Sequence, residues 1–291
     1  MNSLPYRKID AFVSGNSLGN PAACIFIKDG ESLTDTQMQN IAYEHRGFVS
    51  EVVFCKQTQD GFALRYFSSQ REVDFCGHGT IACMYTLLSE NSELAINPEL
   101  VINTKNDTLT VCNKLKEQDA VFITAPKMQQ LIQNIPVCEI VSALEILSED
   151  LDNRCAIDFI NAGLNTLIVP IINLKTEISI FPNESNLRDF CLKNNIDIIL
   201  IFSMEVKDNH NIAHSRVFAP KFGYLEDPAT GSGNSAFGYY MLKNNLWKGE
   251  DISIEQGGND RTSNIVKLCH CDSVILFGGK AKTKICGEYF Y

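Results

Sequence analysis

The chain has 291 residues, of which 45% are hydrophobic and 21% are charged, the composition of an ordinary soluble globular protein. Asp and Glu number 35 against 25 Lys and Arg, giving a formal charge of −10, and this acidic excess excludes the basic surfaces that bind nucleic acid or anionic membranes. The longest apolar runs, such as 196–204, are far shorter than the roughly 20 residues that cross a bilayer, so we expect neither nucleic acid nor membrane as a partner.

Strand-like and helix-like segments alternate in the first part of the chain. Thr34, with Gln37 following it, is typical of a capping box at the start of a helix. In chain order, we predict strands over 6–13 and 22–27, a helix over 34–45, strands over 51–56 and 62–67, a helix over 80–88, and strands over 100–104, 108–113 and 120–124.

A second series of the same kind follows. In chain order, we predict a helix over 137–147, strands over 156–161 and 166–172, a helix over 185–193, strands over 197–206 and 213–218, a helix over 232–243, and strands over 252–255, 263–268 and 274–277. The order strand, strand, helix, strand, strand, helix occurs twice, which favours an ancient duplication. Short connections between strands indicate an α+β fold with mixed or mostly antiparallel sheets.

Eleven cysteines occur at irregular spacing. Several lie in apolar, strand-like runs, as Cys24 does in Ala23-Cys24-Ile25-Phe26, and a buried reduced cysteine behaves as a small hydrophobic residue. The first ten residues contain no apolar signal core. We therefore expect a cytoplasmic protein with free thiols.

The sequence Cys76-Gly77-His78-Gly79 lies at a predicted helix start. The first N–H groups of a helix have no partners within the helix and carry partial positive charge, so such a start binds anions. The helix dipole favours the thiolate of Cys76, and a histidine such as His78 can donate or accept a proton near neutral pH. The alternative is a purely structural helix entry with a core cysteine and a capping histidine.

A similar sequence, Asp227-Pro228-Ala229-Thr230-Gly231-Ser232-Gly233, lies at the helix predicted over 232–243. Ser232 is a candidate N-cap, and Asp227 can hydrogen-bond a substrate amine or hydroxyl group. Alone, this motif is better explained by an Asx turn and a capped helix. Each loop follows a strand-like run with Arg-x-Phe, Arg65-Tyr66-Phe67 and Arg216-Val217-Phe218. The pairing favours two helix starts that face each other and hold one small carboxylate-bearing molecule.

Two further motifs are weak. The run Gly231-Ser232-Gly233-Asn234-Ser235-Ala236 matches a dinucleotide fingerprint, but no strand leads directly into it. The run Cys269-His270-Cys271 is too tightly spaced for a structural zinc site and has no second cysteine pair nearby. We therefore expect no cofactor and no metal, and we expect His45, His210 and His214 on the surface.

The run Ser50-Glu51-Val52-Val53-Phe54 places a carboxylate at the start of an apolar strand. Most glutamates in such positions are solvated edge residues. A partly buried one can serve as a general acid or base, so Glu51 is a candidate catalytic residue.

Together these motifs resemble the phenazine-biosynthesis PhzF-like family, whose fold is diaminopimelate-epimerase-like. The resemblance extends over almost the whole chain and is carried, in order, by Ile9-Asp10-Ala11-Phe12, Gly19-Asn20-Pro21-Ala22-Ala23, Ser50-Glu51, Asp74-Phe75-Cys76-Gly77-His78-Gly79-Thr80 and Glu226-Asp227-Pro228-Ala229-Thr230-Gly231-Ser232. It implies two pseudo-symmetric halves, each a curved, mostly antiparallel sheet around a central helix. The first half would comprise 1–116, joined by a last strand at about 280–291, and the second half 117–279.

The resemblance also implies a cofactor-independent isomerase with its site in the cleft between the halves, and a homodimer. In PhzF itself a hydrogen moves within a dihydro-hydroxyanthranilate ring, and a glutamate shuttles the proton. That role falls on Glu51, with His78 and Asp227 as the other catalytic residues. A small carboxylated substrate would be bound by Asn20, Cys76, Gly77, Gly79, Thr80, Thr230, Gly231, Ser232 and Gly233.

The first loop also resembles that of diaminopimelate epimerases and proline racemases, which use one cysteine from each loop as opposed acid and base. Here the first loop has Cys76, whereas the matching position of the second is Thr230. A threonine hydroxyl is too weakly acidic to replace a thiol, so inversion between two thiols is disfavoured. Two alternatives remain open: a Cys76-dependent epimerase or dehydratase of a cyclic amino acid, and a non-catalytic module that binds carboxylates or other proteins.

Overall fold

The computed structural model describes residues 2–132, 134–258 and 262–291. By their contacts these residues form two units, and the chain ends belong to the same one. Unit 1 comprises Met1–Thr124 with Gly278–Tyr291, and unit 2 comprises Ala125–Phe277. We expected the first half to end at 116. The division lies after Thr124 because the strand at Ala120–Thr124 pairs with the strand before it.

Strands and helices alternate throughout the described residues. The strands are β1 (Ser3–Ala11), β2 (Asn20–Ile27), β3 (Glu51–Thr58), β4 (Gly61–Ser68), β5 (Glu72–Val73), β6 (Glu99–Asn103), β7 (Thr108–Lys114), β8 (Ala120–Thr124), β9 (Gln129–Gln130), β10 (Asp158–Asn161), β11 (Asn165–Pro170), β12 (Ile198–Ser203), β13 (Ala213–Phe218), β14 (Glu226–Asp227), β15 (Ile252–Gln256), β16 (Asn264–Cys271), β17 (Val274–Gly279) and β18 (Ala281–Phe290). The helices are α1 (Asp35–Glu44), α2 (Gly77–Glu90), α3 (Leu115–Gln118), α4 (Val137–Leu144), α5 (Leu174–Ser179), α6 (Glu184–Lys193) and α7 (Gly231–Lys243).

Local sequence signals located most of these elements. Helix α1 follows Thr34, whose side chain accepts a hydrogen bond from the Gln37 backbone while the Gln37 side chain accepts one from the Thr34 backbone. This is the predicted capping box. Strands β8 and β13 have the predicted bounds. The helix α5 was not predicted.

Helices α2 and α7 begin earlier than predicted, at Gly77 and Gly231. The prediction that Ser232 caps α7 is wrong, because Thr230 is the N-cap and Ser232 is the second helical residue. Because glycine has a low helix propensity, the sequence did not indicate that either helix begins at a glycine. The first turn of a helix can nevertheless contain glycine, since its N–H groups make no bonds within the helix.

Unit 1 contains a mixed sheet with the strand order β18–β1–β2–β3–β4–β6–β7–β8, and β5 pairs with β4. Neighbours are antiparallel except β2–β3 and β4–β6. Parallel neighbours need a crossover, which α1 and α2 supply. Helix α2 contacts strands from both ends of this order, including β8 and β18, so the sheet curves around it.

Unit 2 repeats this topology. Its order is β9–β10–β11–β12–β13–β15–β16, with β14 on β13. Two pairs are again parallel, β11–β12 and β13–β15, and helices again make the crossovers. Helix α7 takes the place of α2, contacting β10, β11, β12 and β16. The predicted α+β fold of two pseudo-symmetric halves, each a mostly antiparallel sheet around a central helix, is confirmed.

Alternation along β3 separates two layers of unit 1. Val52 and Phe54 pack with Met38 and Ile41 of α1 in one buried cluster. Val53 points to the other face, where it lies against Gly79 of α2. Glu51 shares the face of Val53 by the same alternation, so the strand directs its carboxylate towards α2.

The histidines are less exposed than the sequence suggested. His210 is exposed as expected, but the prediction is wrong for His45 and His214, which are buried. His45 hydrogen-bonds the Ile41 carbonyl, and His214 contacts a carboxylate of α5. Tertiary packing buries both rings, and the neighbouring sequence does not indicate this burial.

All eleven cysteines lie among the described residues and are free thiols, as predicted. The described helices include none with the length and apolar character that spanning a membrane requires.

Candidate active site

Glu51, Cys76 and His78 meet at the start of α2. Glu51 Oε2 lies 3.4 Å from His78 Nε2 and 3.8 Å from Cys76 Sγ, and Cys76 Sγ lies 3.5 Å from His78 Nδ1. The Glu51 side chain is 19% exposed and that of His78 13% exposed. The structure therefore brings two of the predicted catalytic residues together with Cys76, in a position that a solute can reach.

Cys76, rather than the histidine that the structural alternative offered, is the N-cap of α2. Its Sγ accepts a hydrogen bond from the Gly79 N–H at 3.4 Å. A Cβ on residue 79 would lie 2.7 Å from Val53 Cγ2 and 3.0 Å from Cys76 Sγ. Only glycine therefore lets the helix start approach both the sulfur and β3 this closely.

His78 is a neutral imidazole at physiological pH. Burial lowers its pKa to about 4, and a hydrogen bond with the backbone of Pro21 opposes this shift only in part. Proline has no N–H, so the Pro21 carbonyl accepts from the ring. Asn20, the neighbour of Pro21 in β2, is buried beside this contact.

Thr80 has a structural contact at the same helix start. Its side chain has no exposed surface. Its hydroxyl donates to the Cys76 carbonyl at 2.8 Å and lies 2.7 Å from the Tyr66 hydroxyl. The Thr80 side chain thus fixes the turn that carries Cys76.

The start of α7 is held by a hydrogen-bond network that includes Gln256, which the sequence did not single out. Thr230 donates its hydroxyl to the Asp227 carboxylate. Gln256, at the end of β15, accepts from the Thr230 N–H at 3.0 Å and donates to the Asp227 carbonyl at 2.9 Å. Asn234 donates to the same Gln256 oxygen at 2.6 Å. A glutamine in a strand-like run carries no signal of this role, because its partners are remote in sequence.

The glycines of this second loop permit close packing. A Cβ on residue 231 would lie 2.2 Å from the Phe277 ring, and one on residue 233 would lie 3.1 Å from Ile198 Cδ1. Ser232, between them, is half-buried. The backbone at Gly231 and Gly233 thus packs directly against neighbouring side chains.

The two helix starts have the same local conformation. Cys76 has φ −135° and ψ 106°, and Thr230 has φ −124° and ψ 110°. Both are N-caps followed at once by a helical glycine. The equivalence of Cys76 and Thr230, inferred from the motifs, therefore holds for the backbone. The Thr230 hydroxyl is engaged with Asp227, unlike a thiol poised for proton transfer.

The two Arg-x-Phe runs hold the loops in the same way. Arg65 Nε donates to Glu72 of β5 at 2.8 Å, and Arg216 donates through Nε and Nη2 to Glu226 of β14 at 2.9 and 2.7 Å. In each unit the acceptor lies on the two-residue strand that leads into the glycine loop. These ion pairs therefore tether the segment from which each helix start emerges.

Comparison with known proteins decides the family. Residues 9–287 match the family model described as phenazine biosynthesis-like protein, PhzC–PhzF. The chain belongs to this PhzF-like family. It is 30% identical over 298 aligned residues to the uncharacterized isomerase YfhB of Bacillus subtilis, covering 100% of this chain and 97% of that protein.

Solved structures share the fold. A PhzF-family phenazine biosynthesis protein of Bacillus anthracis, 24% identical, superposes with a TM-score of 0.87 and full coverage of both chains. A hydroxyproline epimerase of Agrobacterium vitis, 11% identical, superposes with a TM-score of 0.58 over 99% of this chain and 91% of its own. The chain is thus a PhzF-like member of a family of isomerases.

Proposed function

We propose that the chain is a cofactor-independent isomerase that moves a proton within a small carboxylated substrate, with Glu51 taking up and returning the proton. The observation that carries this proposal is the Glu51 carboxylate, partly exposed and 3.4 Å from His78 at the start of α2. A substrate anion held by the helix start would present its C–H bonds beside this carboxylate.

The reaction needs no external redox partner. The Glu51 carboxylate takes a proton from one substrate carbon, and the electron pair of the broken C–H bond moves into the adjacent π system. The carboxylic acid formed at Glu51 then delivers the proton to another carbon. His78 is neutral because its pKa is about 4. Its one N–H is donated to the Pro21 carbonyl, so its other ring nitrogen can accept a hydrogen bond or a proton from the substrate.

We propose that the backbone N–H groups at Gly77 and Gly231 bind the substrate carboxylate. The matching N-cap geometry of the two helix starts supports this assignment. Asp227 would accept a hydrogen bond from a substrate amine or hydroxyl. The remaining substrate-binding residues would be Asn20, Cys76, Gly79, Thr80, Thr230, Ser232 and Gly233.

The variant Glu51→Gln tests the role of the carboxylate. We expect turnover and solvent-deuterium exchange into substrate to fall by about 10² or more, because an amide cannot take up the proton. Ligand affinity, measured calorimetrically over a panel of small cyclic carboxylates, should stay within a few-fold. Glu99→Gln, an exposed glutamate that begins β6, is the matched control and should retain activity. Full activity of Glu51→Gln would refute the proposal.

A second candidate function is an epimerase or dehydratase led by Cys76. It is favoured by the helix N-cap position of the sulfur and its 3.8 Å separation from Glu51. Iodoacetamide inactivation of the wild type that ligand prevents, together with loss of turnover in Cys76→Ser, would support it. Turnover by Cys76→Ser near the wild-type rate would leave Glu51 as the proton carrier.

A further inference from the structure

Glu51, Cys76 and His78 are of the three residue types that bind transition metals through oxygen, sulfur and nitrogen. One ligand atom from each lies within 4.8 Å of the other two. Across 2–132, 134–258 and 262–291, no other group of three His, Cys, Asp or Glu side chains meets this condition. The sequence predicted no metal site because Glu51 reaches the other two only through the curvature of the sheet around α2.

The distances between these ligand atoms are close to those between neighbouring ligands of a tetrahedral zinc ion. Zinc binds Cys sulfur at about 2.3 Å, and His nitrogen and carboxylate oxygen at about 2.0–2.2 Å. At tetrahedral angles such ligand atoms lie about 3.4–3.6 Å apart. The observed separations are 3.4 Å from His78 Nε2 to Glu51 Oε2, 3.7 Å from Cys76 Sγ to His78 Nε2, and 3.8 Å from Cys76 Sγ to Glu51 Oε2. Because Cys76 Sγ also lies 3.5 Å from His78 Nδ1, the imidazole ring must rotate to point its Nε2 lone pair at the ion.

The groups around the cluster also suit a metal site. A ligating histidine usually donates its other ring N–H to a carbonyl or carboxylate, and the Pro21 carbonyl hydrogen-bonds the ring of His78. The Gly79 N–H donates to Cys76 Sγ, which stabilises a thiolate. The second contact holds the sulfur at the start of α2.

The donor set selects the kind of ion. A thiolate with an imidazole favours zinc over magnesium or calcium, which prefer oxygen ligands. One thiolate and one carboxylate balance the 2+ charge. Three protein ligands leave a fourth position, and the partial exposure of Glu51 opens it to solvent or to a substrate anion.

We propose that Glu51, Cys76 and His78 bind one Zn²⁺ ion, and that the bound ion inhibits the isomerase. Inhibition follows because the metal occupies the carboxylate lone pair that the reaction uses, and this part rests on the proposed function of Glu51. Binding itself does not depend on turnover.

Cobalt and zinc titrations test the binding. With the full chain kept reduced, Co²⁺ should give a thiolate charge-transfer absorption in the near ultraviolet with one equivalent bound, and Zn²⁺ should displace it. In Cys76→Ser the band should vanish and the Zn²⁺ affinity, measured against a chromogenic chelator, should fall about tenfold or more. His78→Ala should weaken binding similarly.

The matched control is Cys271→Ser, which removes an exposed thiol outside the cluster and should leave band and affinity unchanged. Circular dichroism of each variant establishes that it is folded. Zinc affinity equal in wild type and Cys76→Ser, or a cobalt complex without the thiolate band, would overturn the site.

Activity measurements separate the two parts of the proposal. Wild-type turnover should fall with one equivalent of Zn²⁺ and recover with excess chelator. Unchanged or increased turnover in the zinc-loaded enzyme would overturn the proposed inhibition. The cobalt spectrum tests the proposed binding site independently of turnover. Failure of the proposed function would appear differently, as no turnover of any carboxylate even with chelator present.

Discussion

Glu177 and His214 form a contact from which water is excluded. Glu177 Oε1 lies 3.0 Å from His214 Nδ1, and neither side chain has exposed surface. Burial raises the pKa of Glu177 well above its usual value, although Arg216 opposes the shift, and burial lowers the pKa of His214 to about 3. The contact is therefore a carboxylic acid donating to a neutral imidazole, with Glu177 Oε2 and His214 Nε2 lacking a hydrogen-bond partner among the described residues.

The protonated state of Glu177 makes stability depend on pH. Its raised pKa stabilises the fold below the unfolded value of 4.5, and this contribution is lost as pH rises towards the folded value. Glu177→Gln keeps the donor to His214 and cannot ionise. We expect its free energy of unfolding, relative to wild type, to increase as pH rises above 4.5, by at most about 1.4 kcal/mol per pH unit, measured by urea denaturation.

The control for this experiment is Glu184→Gln, which removes an exposed carboxylate in the first turn of α6 and should not reproduce the pH dependence of Glu177→Gln. A constant difference for Glu177→Gln would show that this carboxylate is ionised in the fold.

At the scale of elements, the ion pairs Arg65–Glu72 and Arg216–Glu226 occupy equivalent positions in the two units but differ in how far they are buried. Arg216 has no exposed side-chain surface and also donates to the Glu177 and Ile180 carbonyls at 2.9 and 2.7 Å. The Arg65 side chain is 32% exposed. Breaking a buried pair leaves charges and carbonyls unsatisfied, whereas water replaces a lost partner near the surface.

We therefore expect the two arginines to differ in their effect on stability. Arg216→Met should lower the free energy of unfolding by about 3–5 kcal/mol, and Arg65→Met by about 0.2–1 kcal/mol, both measured by urea denaturation. Arg216→Lys, which keeps the charge and loses the paired donors, serves if Arg216→Met does not fold. Equal costs for Arg216→Met and Arg65→Met would contradict this account.

Local signals predicted the elements better than the contacts between them. The capping box of α1 is readable because its two partners lie within one turn, whereas the first helical glycines of α2 and α7 were not recognised as helical. The role of Gln256 and the burial of His214 were missed because strand pairing supplies their partners from distant parts of the chain. The meeting of Glu51 with His78 could be anticipated only from the family resemblance, since β3 and α2 are joined by packing.

At the scale of the whole molecule, two units repeat one topology while their loops differ in chemistry. The first has a thiol at its N-cap and a carboxylate and an imidazole beside it. The second has a hydroxyl engaged with Asp227. The two units thus share one topology and one helix-start conformation, while the side chains at the two starts differ.

The homodimer that the family resemblance implies remains a prediction. The side chains of Ile285 and Phe290 on β18 are exposed, and burial of such apolar groups favours association. Size-exclusion chromatography with light scattering should give about twice the monomer mass of 32.5 kDa, and Ile285→Glu should shift it towards the monomer if β18 lies in the interface. A monomer mass at micromolar concentration would contradict the prediction.

The antiparallel pairing of β1 with β18 has a consequence for biosynthesis. Domains tend to fold as they leave the ribosome, and β1 emerges first whereas β18 follows all of unit 2. Unit 2 is contiguous and can fold while unit 1 still lacks its outermost strand. The edge of β1 that pairs with β18 therefore stays unpaired on the nascent chain until translation has passed the second unit. We expect chaperones to be needed most at that stage.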